Sequence, residues 1–130
     1  MSTSKSSKVL KVLIVDDNDQ MSSLLADILE LFDYQTQQAR DGEEALQCLK
    51  QDNFNLVITD LKMPRMSGTE LLKIIKKAYP QLPVVVISGL TPGNTQNIII
   101  SEQADGYLHK PFTVEQIEKI LLALVPHQRV

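Results

Sequence analysis

"VLIVDDND", residues 12–19, joins two patterns that rarely meet. Val12 to Val15 is a short, mostly β-branched apolar run, which reads as a strand buried on both faces. It empties at once into Asp16, Asp17, Asn18 and Asp19. Two carboxylates about 4 Å apart, at an effective dielectric of about 20, repel by roughly 4 kcal/mol. A charge cluster at the mouth of a buried strand therefore calls for something that offsets its repulsion.

The residues on either side decide what kind of sheet this strand enters. Val9 to Val15 is predicted as the first strand, and Asn18 or Asp19 as the cap of the helix behind it. That helix shows Met21, Leu24, Leu25, Ile28, Leu29 and Phe32 at helical spacing. "YQTQQA" (34–39) reads as a short, more polar strand at or near an edge, and "DGEEALQCLKQ" (41–51) as a turn running into a helix. "NLVITD" (55–60) is a second apolar run that ends in an acid. "TELLKIIKKAY" (69–79) is a third helix, stopped by Pro80 and Pro83. "PVVVIS" (83–88) and "GYLHK" (106–110) are the last two strands, with a helix read between them from Thr95 to Glu102. Thr113 and Gln116 form a capping box for a final helix, whose apolar face is Val114, Ile117, Ile120, Leu121 and Leu124. Strand and helix thus alternate along the whole chain. The implied fold is a doubly wound α/β domain, a parallel sheet covered on both faces.

Composition excludes several functions. At 130 residues the length fits one domain, read here as residues 8–125 between tails at 1–7 and 126–130. The net charge is −3 with no basic stripe, so direct nucleic-acid binding is not expected. No apolar run approaches the ~20 residues of a membrane span, and the Ser-rich start lacks the apolar stretch of a signal peptide. The single cysteine, Cys48, is read as a small core residue, and its isolation fits a reducing cytoplasm. Lys73, Lys76 and Lys77 read as a solvated helix face. No G-x-G-x-x-G follows the first strand, which removes dinucleotide binding.

In doubly wound folds, ligands gather beyond the carboxyl ends of the strands. Here those ends carry Asp16 and Asp17, then Asp60, then Ser88, then Lys110. Each alone is explained by capping, a turn or a solvated charge; four strand ends in register are not. Three facing carboxylates suit a hard divalent cation, Mg²⁺ or Mn²⁺, and such an ion suits phosphoryl transfer. Asp60, alone at the end of the central strand, is the natural phosphoryl acceptor. Lys110 and the Ser88 hydroxyl would meet the other phosphoryl oxygens.

These residues closely resemble the response-regulator receiver domain of two-component signalling. The carriers are "VLIVDDN", "LVITDLKMPRMSG", "VVVISG" and "GYLHKPF", in the family's order, with "ARDGEEAL" adding support. The resemblance implies a flavodoxin-like (βα)5 domain with a five-stranded sheet in the order 2-1-3-4-5. It also implies that Asp60 takes a phosphoryl group from a histidine kinase or histidine phosphotransfer domain. Asp17 would then ligate the metal directly, Asp16 mostly through water, and Lys62 through its backbone carbonyl. Ser88 and Tyr107 match the switch pair, and Lys110–Pro111 matches a peptide bond that is cis in the family. Partners would dock on the face made by the fourth helix, fifth strand and fifth helix. They would be a downstream protein or a covalently linked domain.

Some positions depart from the commonest pattern. Gln103 stands where a glycine often ends the fourth helix. The Lys62 side chain would either shield the aspartyl phosphate or pair with nearby acids, and Leu90 would exclude attacking water, so slow loss of the phosphoryl group is expected. His109 and His127 are given no phosphorelay role. Two alternatives compete with the receiver reading. A phosphatase with an aspartate nucleophile would show Asp-x-Asp, whereas Asp60 is followed by Leu61 and Lys62. A phosphorylation-independent interaction module would not need the complete acid, hydroxyl and lysine set. With no output segment before Val130, the expectation is either a stand-alone receiver or one taken from a larger regulator or hybrid kinase.

Overall fold

The computed structural model describes residues 9–89 and 104–125. Its elements are β1 (Lys11–Val15), α1 (Asp19–Leu31), β2 (Gln35–Ala39), α2 (Gly42–Gln51), β3 (Leu56–Asp60), α3 (Gly68–Ala78), β4 (Val84–Ser88), β5 (Gly106–His109) and α4 (Val114–Leu124). All five strands are parallel, in the order β2-β1-β3-β4-β5. This is the flavodoxin-like arrangement expected above, with polar β2 at one edge. The helix read at Thr95 to Glu102, together with Leu90, Gln103, His127 and both tails, lies outside the described residues.

Val12 to Val15 are fully buried because successive side chains enter opposite layers. Val12 and Ile14 join Leu56, Ile58, Val85 and Ile87 under α1 and α4. Leu13 and Val15 join Val57, Val84 and Val86 against α2 and α3. Burying one such side chain contributes about 1.5–3 kcal/mol, so the central strands anchor both layers.

The helices follow their apolar periods with two corrections. Leu24 and Val114, expected on buried faces, are 48% and 44% exposed. In α1 the buried stripe is Ser22, Leu25, Ala26, Ile28 and Leu29, and it leaves Leu24 on the solvent flank. Val114 sits in the first turn of α4, ahead of buried Ile117 and Leu121. Asn18 is the cap of α1 and accepts from the Met21 N–H, while α3 begins one residue early behind a Ser67–Glu70 capping box. The predicted Thr113–Gln116 box is present. Among the described residues no helix is long and apolar enough to cross a membrane.

One expectation for the α3 lysines fails. Lys76 is half-buried and paired: its Nζ donates to the Leu82 carbonyl at 3.1 Å and to Asp105 Oδ2 at 2.9 Å. The same carboxylate oxygen accepts the Val84 N–H at 2.9 Å, which ties α3 to the start of β4 and β5. Cys48 is buried as expected, and burial followed by the nearby Glu44 charge pushes its thiol pKa up.

Candidate functional site

The strand ends converge as the register requires. Val15 lies beside Thr59, Asp60 beside Ile87, and Ser88 beside His109, so the residues at or just beyond the ends of β1, β3, β4 and β5 share one rim. Asp16, Asp17 and Asp60 each place a carboxylate oxygen within 4.8 Å of the others. Their environments differ: Asp16 is buried, Asp60 half-buried and Asp17 exposed.

Asp16 is the buried member of the cluster. Its Oδ1 accepts the Asn18 N–H at 2.9 Å. Its Oδ2 is, among the described residues, the one buried side-chain oxygen or nitrogen with no hydrogen-bond partner. Burial foremost, then the charges of Asp60 and Asp17, raise the Asp16 pKa, while the Asn18 N–H and Lys110 oppose the rise. An orphaned carboxylate oxygen in an all-oxygen cluster is what a hard divalent cation would satisfy, so the residues present fit such an ion.

The Asp60 carboxylate is held at both oxygens. Oδ1 accepts the Leu61 N–H at 2.8 Å, and Oδ2 lies 3.5 Å from Lys110 Nζ. Lys110 stands one residue past β5, its N–H donates to the Ser88 carbonyl at 2.9 Å, and the peptide bond to Pro111 is cis. The Tyr107 hydroxyl donates to the same Ser88 carbonyl at 3.4 Å, so Ser88 meets Lys110 and Tyr107 through one backbone atom. The Ser88 side chain is buried, and Tyr107 is half-buried. His109 is exposed and packs edge-on to the Tyr107 ring at 6.1 Å between centroids. Lys62 is exposed in the loop after β3.

Three participants escaped the sequence reading. Gly68 stands where a β-carbon would lie 2.1 Å from the Asp60 carbonyl oxygen and 2.8 Å from Leu61 Cα. The backbone that carries Asp60 thus packs directly on the start of α3. Asp41 and Arg65 form an ion pair between the loops after β2 and β3. The "SG" at the head of α3 could have flagged the glycine; nothing local marks the pair.

Comparison with known proteins adds an independent line. A sequence model described as the response regulator receiver domain matches residues 12–122. Chemotaxis protein CheY-3 of Vibrio cholerae is 38% identical over 122 residues, covering 87% of this chain and 92% of that one. Response regulator RR06 of Streptococcus pneumoniae is 33% identical over 116 residues, 89% of this chain but 53% of that protein. The chain therefore spans about half the length of RR06. Among solved structures, Vibrio cholerae chemotaxis protein CheY4 superposes with a TM-score of 0.85 at 29% identity, covering 91% of this chain and all of that one.

Proposed function

Because this chain belongs to the response regulator receiver domain family, we propose that it is a phosphoacceptor whose acceptor is Asp60. The observation that carries this reading is the setting of that carboxylate. One oxygen is fixed by a backbone N–H and the other faces a lysine, beside two acids of which one has an orphaned oxygen.

In the proposed reaction an Asp60 oxygen attacks the phosphorus of a phosphohistidine. The P–N bond breaks, the imidazole nitrogen leaves with its electron pair, and an acyl phosphate forms on Asp60. The Leu61 N–H orients the attacking carboxylate before the reaction, which lowers the entropy cost of alignment. Lys110, already opposite Oδ2, supplies a cation to the phosphoryl oxygens, and the Ser88 hydroxyl a donor. Asp16, Asp17, Asp60 and the Lys62 carbonyl would hold Mg²⁺ or Mn²⁺. When bound, that ion neutralises charge on the transferred group. The chain is in this reading a signalling protein that assists its own modification, rather than an enzyme with a turnover substrate.

Ser88 and Tyr107 are the proposed switch. They already communicate through the Ser88 carbonyl. Movement of Ser88 towards a phosphoryl group frees space into which the Tyr107 ring turns, and the face containing β5 and α4 changes shape. The proposed partners are a histidine kinase or phosphotransfer domain upstream and a protein target or linked domain downstream. The proposed setting is cytoplasmic.

The test is direct. The chain is incubated with an acyl phosphate and Mg²⁺, and its intact mass is measured. One phosphoryl unit is expected on the wild-type protein and none on Asp60→Asn. An adduct that persists in Asp60→Asn would overturn the assignment.

A further inference from the structure

The loop from Leu61 to Ser67 carries Lys62, whose carbonyl is assigned above to the cation, so a role for this loop in metal binding rests on the receiver reading. One end of the loop is tied to β4, and the other closes back onto the first. The Leu61 N–H donates to the Ile87 carbonyl at 3.3 Å, and the Gly68 N–H to the Leu61 carbonyl at 2.8 Å. Its far side is held from another direction. The Arg65 guanidinium contacts Asp41 Oδ2. Met66 lies over Gly42 so closely that a β-carbon there would come within 2.5 Å of its sulfur.

Asp41 is itself fixed, because its Oδ1 caps α2 by accepting the Glu44 N–H at 2.9 Å. One carboxylate thus serves two elements. Both members of the pair are biased towards their charged forms. The Glu44 N–H, followed by Arg65, lowers the Asp41 pKa, and Asp41 raises that of Arg65. Arg65 also sits at a φ of 68°, a left-handed conformation in which glycine would be unstrained. The side chain that occupies this position spans two loops, which glycine would not.

We propose that the Arg65–Asp41 pair is a latch that positions the β3–α3 loop, and with it the Lys62 carbonyl, for divalent-cation binding at the acid cluster. Arg65 and Asp41 are positioning residues; neither meets the reacting atoms. A loop held only at its ends must lose backbone freedom when the ion binds, and ordering one further residue corresponds to roughly a 5- to 30-fold change in affinity.

The experiment uses the full chain with Mg²⁺ alone, titrated calorimetrically, alongside thermal unfolding without metal. Arg65→Gly removes the pair and relieves the backbone. It is expected to bind Mg²⁺ about 5- to 30-fold more weakly, with little change in metal-free Tm, because relief of the left-handed backbone offsets the lost ion pair and the added freedom of the unfolded chain. Arg65→Met, which keeps the bulk and the strained backbone, should lose the same affinity. Arg65→Lys, which keeps the charge, should recover part of it. A lower Tm with unaltered Mg²⁺ affinity would make the pair merely structural and overturn the latch. Equal affinity across all the proteins would do the same while leaving the receiver reading intact. A wild-type chain that takes up neither Mg²⁺ nor a phosphoryl group would overturn both.

Discussion

Asp16 is raised in pKa chiefly by burial, and its neighbours Asp60 and Asp17 push the same way. An acid whose folded-state pKa is raised holds its proton more tightly in the native protein. Stability therefore falls as pH rises from the ordinary value of 3.8 through the folded value, and the deficit persists at neutral pH. Asp16→Asn keeps an oxygen for the Asn18 N–H and removes the charge. The metal-free Tm at neutral pH is expected to rise by several degrees, since each kcal/mol moves a domain of this size by roughly 2–8 °C. The stabilisation that Mg²⁺ gives the wild type should be lost in the same variant, as read by thermal unfolding with and without the ion. Gly68 acts through what it lacks. A β-carbon there would press on the Asp60 carbonyl and Leu61 Cα, both backbone atoms with little room to yield. Gly68→Ala is expected to cost about 1–3 kcal/mol in urea unfolding and to slow phosphoryl uptake, because the strain falls on the residue bearing the acceptor.

Among the elements, α2 is capped by the carboxylate of Asp41. Asp41 is lowered in pKa first by the Glu44 N–H that it caps and then by Arg65. A depressed acid contributes stability that is complete above its unfolded value of 3.8 and is lost as pH falls through the folded value. Asp41→Asn retains a capping oxygen without the charge. Wild type and variant should differ in unfolding free energy at pH above about 5 and converge as the pH falls well below 3.8. A constant gap across that range would exclude the charge as its source. Local pattern made the elements readable: the Thr113–Gln116 capping box and most of the buried stripes follow from residues within a few positions of one another, as does the Ser67–Glu70 box, which went unread. It failed where partners are remote in sequence. Lys76 looks solvated until Asp105, 29 residues on, is brought against it by β5. Leu24 looks buried until the α1 stripe is seen to centre on Leu25 and Ile28.

For the molecule as a whole, the buried strands and their charged ends were legible together because a parallel sheet forces both. Four apolar residues before Asp16 require burial on both faces, as in a parallel sheet, and parallel strands bring every carboxyl end to one rim. The acids, Ser88 and Lys110 could thus be gathered without coordinates. The order of the strands came from family resemblance, and the Arg65–Asp41 pair from neither, since 24 residues separate its members. The alternation of Val12 to Val15 between two layers also restricts how a chain of this kind can change in length. One residue inserted after Ile14 would exchange the layers for Val15, and it would carry Asp16 one pleat beyond its neighbours. An insertion of one alanine there is expected to abolish cooperative unfolding, as followed by near-ultraviolet circular dichroism. The same alanine at exposed Asn53 should leave it in place. Lengthening is open to the connections and closed to the strands, so the distance between acceptor and acids is copied unchanged through whatever the loops acquire.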